Sequence, residues 1–346
     1  MAEVEFNGFK FDDEIYGKYL YSLPHLRTNA LLKSGALVRN TTLTNAFKTG
    51  TGTFARRFPI MGRISDKDPV NYDGKTDIPY DSIGTLSYRA TSYGRAAAWG
   101  ENQFVYDITG GVDPLAWMGQ QIADYWDDQL MKTVTSVIKG MFGMTDSVSA
   151  EFVEKHTYDI TGADSVDKEV GADTLNIAMQ RASGMHKRIF TTVIMHSAVA
   201  TNLENQKLLT YLKGTDPNGM ERDLSMATWN GRRVLIDDDV PFDAETGKYT
   251  TYLLGAGAFD YDELGAKNAI EKERIAREKG GIDILINRRR SYLIPRGVSF
   301  EGEPATDSPT NAEFEVGKNW QVIQNKTTGE KWSHQRIPFA RIISEG

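Results

Sequence analysis

The sequence predicts an α+β fold whose body carries long extensions. Three observations predict it. A strand–long loop–strand unit lies near residue 70, a helix of about thirty residues spans Asp113–Phe142, and a later alternation of short helices and strands ends in two long β-type runs. The chain has 346 residues, 40% hydrophobic and 25% charged, so it has enough apolar side chains for more than one folding unit.

Residues 1–50 read as an arm: a polar lead-in with helical patches at Asp12–Leu20 and Leu26–Leu32, then Arg39–Gly52 (RNTTLTNAFKTGTG), whose Thr, Asn and Gly content predicts extended or loop structure. Two strand-like runs follow, Thr53–Met61 and Thr85–Tyr93. In the first, Phe54, Arg56, Phe58 and Ile60 share one face and Ala55 and Arg57 the other. About two dozen residues punctuated by Gly62, Pro69, Gly74, Pro79 and Gly84 separate the runs. Structureless loops of that length are uncommon in compact domains and usually functional. A two-stranded hairpin alone is marginal in water, so this one docks either on its own domain or on a neighbouring molecule.

The helix over Asp113–Phe142 has the clearest signals. Asp113 suits the N-cap, Pro114 the first helical position and Gly143 the end. Leu115, Met118, Ile122, Trp126, Leu130, Val134, Val137 and Met141 recur every three or four residues, along a rod of roughly 45 Å. A shorter helix is predicted at Asp173–Met185, a strand at Ile189–Met195 and a helix from Ser197 to about Lys213. An exposed loop over 214–225 leads to two short strands around the Asn230–Gly231 turn. Tyr249–Leu254 reads as a strand, Asp262–Lys279 as charged and partly helical, and Ile282–Asn287 and Arg290–Phe300 as strands parted by a basic corner. The stretch 301–346 opens with linker-like composition before a β-like piece holding Trp320 and Trp332.

Several chemistries lack their parts. There is no cysteine, hence no disulfide or thiolate. The N-terminus is acidic without an apolar run, unlike a secretory signal, and no stretch reaches the length of a membrane span. Net charge is −7, which does not give the basic field of a nucleic-acid binder; Arg288–Arg289–Arg290 is the local exception, a run that could touch phosphate but reads rather as a solvated or salt-bridged strand edge. The histidines His25, His156, His186, His196 and His334 form no pair at metal-ligand spacing. His196 reads as a satisfied strand-end residue, and Asp237–Asp238–Asp239 as a hydrophilic strand exit, neither a base nor a metal site. Gly255–Ala256–Gly257–Ala258–Phe259 begins like a dinucleotide fingerprint but has Asp260 at the third glycine. No catalytic residue, metal or cofactor is expected.

Several segments resemble one family in the right order. Tyr93–Phe142 (YGRAAAWGENQFVYDITGGVDPLAWMGQQIADYWDDQLMKTVTSVIKGMF) resembles the return strand and spine helix of a major-capsid family of tailed bacteriophages, whose fold is called the Hong Kong 97 type. Phe190–Asn205 and Asn230–Pro241 are similar to its capsomer-forming insert, and Thr250–Phe259 and Leu285–Phe300 to its closing strands; Asn319–Ile323 is a weaker echo.

The resemblance implies an N-terminal arm over 1–50, an E-loop over 51–99 lying on a neighbouring subunit, and a P-domain over 100–188 with spine helix 113–142. It implies an A-domain over 189–255, return strands over 256–300 and a C-terminal extension over 301–346. It places Phe54, Arg56, Arg57, Phe58, Tyr88 and Arg89 at an intersubunit E-loop interface, and Leu115, Met118, Ile122, Trp126, Leu130 and Val134 on the spine. The function implied is self-assembly into pentamers and hexamers of an icosahedral head, built in the host cytoplasm, that encloses double-stranded DNA through non-specific proximity. A portal protein and a separate scaffolding protein are expected partners, the latter because the chain starts almost directly at the arm; the resemblance also allows a decoration protein. Lys67 and Lys75 lie in the hairpin tip, where some relatives carry a crosslinking lysine, but no motif marks an Asn partner. The alternatives are an encapsulin-type compartment of the same fold and an enzyme with a dispersed site.

Overall fold

The computed structural model describes residues 5–6, 9–10, 31–48, 54–61, 68–78, 85–102, 114–162, 168–215, 221–278, 281–325 and 328–345. Along the chain, a two-stranded ribbon of β1 (Glu5–Phe6) and β2 (Phe9–Lys10) precedes β3 (Leu37–Val38) and helix α1 (Thr41–Lys48). The hairpin strands are β4 (Ala55–Met61) and β5 (Thr85–Asn102), and the long helix is α2 (Pro114–Phe142). Next come α3 (Ala150–Lys155), β6 (Thr157–Asp159), α4 (Thr174–Ser183), β7 (Phe190–Met195) and α5 (Ser197–Asn205). Strands β8 (Leu209–Thr215), β9 (Glu221–Trp229), β10 (Arg232–Ile236), β11 (Phe242–Asp243) and β12 (Lys248–Gly255) follow. The chain continues through β13 (Phe259–Glu263), β14 (Ile270–Ile275), β15 (Ile282–Pro295) and β16 (Val298–Phe300). It ends with helix α6 (Asn311–Glu315), β17 (Trp320–Val322) and β18 (Phe339–Glu345).

Two sheets organise these elements. The larger has the order β6-β18-β12-β7-β10-β9-β8, with β11 against β12. Helices α4 and α5 cover one face of it, through Leu175, Met179, Val199 and Leu203 against Val193, Leu253 and Ile342. The smaller has the order β3-β13-β15-β5-β4, with β14 against β15. Strand β5 does two jobs: Thr85–Thr91 pair with β4, and Ser92–Asn102 pair with β15. The hairpin is therefore the outward continuation of a body strand. Helix α2 runs between the layers, its C-terminal half packing Met131, Val134, Met141 and Phe142 into a core that includes Tyr252, Phe259, Phe314 and Trp320.

The long helix spans 29 residues, about 44 Å. Ile122, Trp126, Leu130 and Val134 are buried, while Asp113 and the side chains of Leu115 and Met118 lie outside the described residues. Gly140 stands in the last turns of α2 because the chain's C-terminal segment crosses there at backbone distance. A Cβ on Gly140 would stand 1.9 Å from the Phe314 carbonyl oxygen, and one on Gly317 1.8 Å from that of Gly143.

Several expectations are corrected. Part of Arg39–Gly52 is helix, not loop. Asn40 Oδ1 accepts from the N–H groups of Thr42 (3.2 Å) and Leu43 (3.4 Å), and Leu43 and Phe47, one turn apart, are buried, with Phe47 stacked on Tyr292. A cap and a tertiary contact outweigh the low helix propensity of Thr and Asn. The helix from Ser197 stops at Asn205, where Lys207 turns left-handed (φ 59°), and residues expected in helix and loop form the β8/β9 hairpin instead.

The described residues of Asp262–Lys279 are not helical: they hold the end of β13, strand β14 and turns. The alternating charges of β14 make cross-strand pairs with β15, Glu271 with Arg288 and Lys272 with Asp283, a pattern that mimics helical i,i+4 spacing. The basic corner does not break β15, which runs through Arg288–Arg290. Finally, the C-terminal stretch is no appendage: β18 sits inside the larger sheet between β6 and β12, with Phe339, Ala340 and Ile342 buried. The patches at 12–20 and 26–30 lie outside the described residues.

Candidate assembly surface

The hairpin base is held by its own chain. Phe58 packs between Phe47 of α1 and Tyr88 of the partner strand, at ring-centre distances of 5.9 and 5.7 Å. Burial pushes the Tyr88 phenol up to about 12. Arg56 Nη1 donates to the Ala46 carbonyl at 2.8 Å, the geometry that closes α1 onto β4. Arg57 makes a 2.7 Å ion pair with Glu301, and Arg89 Nη1 donates to the carbonyls of Glu301 (3.2 Å) and Gly302 (3.0 Å) while its N–H donates to Ser299 Oγ. Phe54 lies 5.4 Å beneath the Arg290 guanidinium. All six side chains expected at an intersubunit interface thus meet α1, β15 and residues 299–302 within one subunit.

The described distal part of the hairpin is different. Met61, Tyr72 and Ile78 are 77, 89 and 69% exposed. Between them Asp73 fixes a turn: Oδ1 accepts from the N–H groups of Lys75 (2.8 Å) and Thr76 (2.7 Å), and Oδ2 from Thr76 Oγ1. These bonds to the charged form hold the Asp73 carboxyl below its usual range. Lys75 is exposed beside this turn, and Lys67 lies outside the described residues. Large exposed apolar side chains on an ordered turn are costly unless something covers them.

The residues with chemical potential are structural. Arg288 pairs with Glu271, and Arg289 with Glu263 while stacking over Trp126 at 5.0 Å, so two of the three arginines are ion-paired internally and Arg290 stacks over Phe54. His196 caps α5, accepting from the Ala198 N–H at Nδ1 (3.1 Å). Asp237 is buried and accepts from the Asp239 N–H, and Asp238 accepts from the Ser197 N–H, both at 3.0 Å. His156 is buried between the Phe339 carbonyl and His334 Nδ1, and burial lowers its pKa to about 4. Gly255–Ala256–Gly257 is a tight β12–β13 connection with Gly257 at φ 64°, not a phosphate loop before a helix. Among the described residues no cluster of His, Asp and Glu could hold a metal ion, and no helix is long and apolar enough to cross a membrane. A cavity beside α2, lined by Tyr93, Arg95, Trp126 and Arg289, measures about 50 Å³, far below the several hundred of a substrate pocket.

What this geometry defines is a structural subunit with an anchored, apolar-tipped extension. No family model matches the chain. The major capsid protein of Bacillus phage SPP1 is 27% identical over 314 residues, covering 90% of this chain and 91% of that one. The likeness extends over nine tenths of both chains and makes this chain a phage major capsid protein, a structural component of the virion capsid. Solved phage structures are similar at lower levels. A chain of Mycobacterium phage Bobi gives a TM-score of 0.48 at 13% identity, covering 91% of this chain and 90% of that one. The cyanophage Pam1 capsid asymmetric unit gives 0.49 at 8%, covering 86% of each. Scores below 0.5 carry no weight, and the assignment rests on the SPP1 relative.

Sequence periodicity found α2 but missed the anchors of the hairpin. Glu301, Ser299 and Ala46 hold it through contacts more than 200 residues away or through a backbone carbonyl, neither of which leaves a local pattern.

Proposed function

We propose that copies of this chain assemble through the hairpin into pentamers and hexamers of a closed icosahedral head that encloses double-stranded DNA. The hairpin beyond Met61 serves as the E-loop and lies on a neighbouring subunit. The supporting observation is the contrast within one element: a base locked by Arg56, Arg57, Phe58, Tyr88 and Arg89, and a tip that exposes Tyr72 and Ile78 on an ordered turn. The six residues first assigned to the interface then orient the loop, and the tip supplies the apolar anchors that protein interfaces centre on.

In this reading α2 is the spine of a P-domain formed with the smaller sheet, and the larger sheet with α4 and α5 is the A-domain. The A-domain then includes β6, α4 and β18 in addition to residues 189–255, and the arm is 1–50. A portal protein and a separate scaffolding protein complete the assembly reaction, and a decoration protein is a third candidate partner. The test is Tyr72→Glu with Ile78→Glu. Urea unfolding of the subunit should stay within about 0.5 kcal/mol of wild type, as for exposed sites, while electron microscopy shows no normal heads. Normal heads from this variant would refute the proposed contact.

A further inference from the structure

The sequence draws attention to the basic run at Arg288–Arg290, yet another group of cations comes from four separate stretches of chain that meet elsewhere. Strands β7 and β18 both lie antiparallel to β12, so they begin at the same end of the larger sheet. The 3-10 turns that precede them, Gly184–Ile189 and His334–Arg336, lie in contact there.

Glycines draw the segments together. A Cβ on Gly255 would stand 2.6 Å from Pro338 and 2.9 Å from the Ile189 carbonyl oxygen, and one on Gly297 2.8 Å from Ile337. Gly257 lies under the Arg296 guanidinium, 3.1 Å from where its Cβ would be, and donates its N–H to the Gly35 carbonyl. Thr191 Oγ1 donates to the Ser34 carbonyl. These contacts bring the backbone segments that carry Lys33, Lys187, Arg188, Arg296 and Arg336 to one tightly packed seam; all five residues are exposed and none makes an ion pair among the described residues. The carboxylate that faces Arg296 is the half-buried Asp260. Five exposed cations thus come from segments that meet at one place, in a chain whose net charge is −7.

We propose that this seam is a binding site for the sugar–phosphate backbone of nucleic acid. Three guanidiniums with two ammoniums match phosphodiester oxygens without any need for base contacts. A second copy of the chain is the poorer fit. Met185 is the one large apolar side chain exposed in the two turns, whereas protein interfaces centre on several. The acidic run that could face the seam is already engaged, Asp237 by the Asp239 N–H and Asp238 by the Ser197 N–H. This reading needs no assembled shell and stands or falls separately from the hairpin contact.

The test uses full-length unassembled protein and a fluorescent 20-base-pair DNA duplex of random sequence, read by anisotropy between 50 and 200 mM NaCl. Wild type should bind at low salt. Lys187→Gln, Arg188→Gln and Arg336→Gln together should weaken binding at least about tenfold and flatten the log–log salt slope by about 3, roughly one unit per lost phosphate contact. A control carrying Lys48→Gln, Lys75→Gln and Lys132→Gln changes net charge equally at other exposed sites and should bind within about threefold of wild type. No binding by wild type at 50 mM, or equal losses in both variants, would overturn the site. So would a seam variant that binds DNA normally but cannot assemble, since that result assigns the seam to contact between copies.

Discussion

Gly140→Ala tests the packing of the spine most severely. Helix propensity alone says that replacing a glycine within α2 by alanine should stabilise the chain by about 1 kcal/mol. The structure says the opposite. The new methyl would lie 1.9 Å from the Phe314 carbonyl oxygen and 2.6 Å from Trp320 Nε1, and the bond between those two groups, 2.7 Å long and buried, is what the methyl would break. The oxygen belongs to the α6 backbone, so relief requires the whole C-terminal segment to move off the spine. Overpacking costs about 1–3 kcal/mol and stranding a buried donor about 1–3 more. After the propensity gain the expected net loss is about 3 kcal/mol. Gly143→Ala is the control, since its nearest neighbours would lie 3.4 Å away, and it should change stability by less than about 0.5 kcal/mol. Urea unfolding of the unassembled subunit, followed by tryptophan fluorescence, measures both. A Gly140→Ala subunit as stable as wild type, or equal losses at the two positions, would refute the packing argument.

Two further outcomes follow from buried polar groups. His156 protonates near 4 in the folded chain against about 6.5 when unfolded, so the unfolded chain binds the extra proton between those values. Its contribution is complete above about pH 6.5 and is lost as the pH falls towards 4, by up to about 3 kcal/mol. His156→Gln should flatten that part of a stability–pH curve, and an unchanged slope would contradict the burial. Asp237→Ala should cost about 1–2 kcal/mol by removing the acceptor that closes the turn before Val240, and Asp238→Ala less, because Asp238 is exposed. Neither change nor a chelator should alter particle yield, and stoichiometric metal found in purified particles would contradict the structural role.

Legibility in the sequence followed the range of the interactions. The spine is written in a local period, and the Asn230–Gly231 hairpin in two residues that accept positive φ, at 48° and 77°. The arm helix α1 was hidden because Thr41, Thr42 and Asn45 argue against helix while Tyr292, some 250 positions away, decides for it. Strand β14 was hidden because its charges are spaced like a helix face, and only pairing with Asp283 and Arg288 shows the register. The place of β18 within the larger sheet was invisible for the same reason: its sequence fixes a strand but not its neighbours. The hairpin was visible as an odd length of chain, yet the division between anchored base and free tip depends on Glu301 and Ala46, which no spacing rule connects to Arg57 and Arg56.

The central claim is that this chain builds a closed shell from copies of itself. The most direct measurement is the mass and form of the particles made when the full chain is produced alone and with a candidate scaffolding protein, by light scattering and electron microscopy. Pentamer and hexamer rings that close into megadalton shells are predicted, because heterologous contacts repeated around symmetry axes must close or run on into filaments. A monodisperse monomer or small oligomer at every concentration, with or without scaffolding protein, would contradict the account.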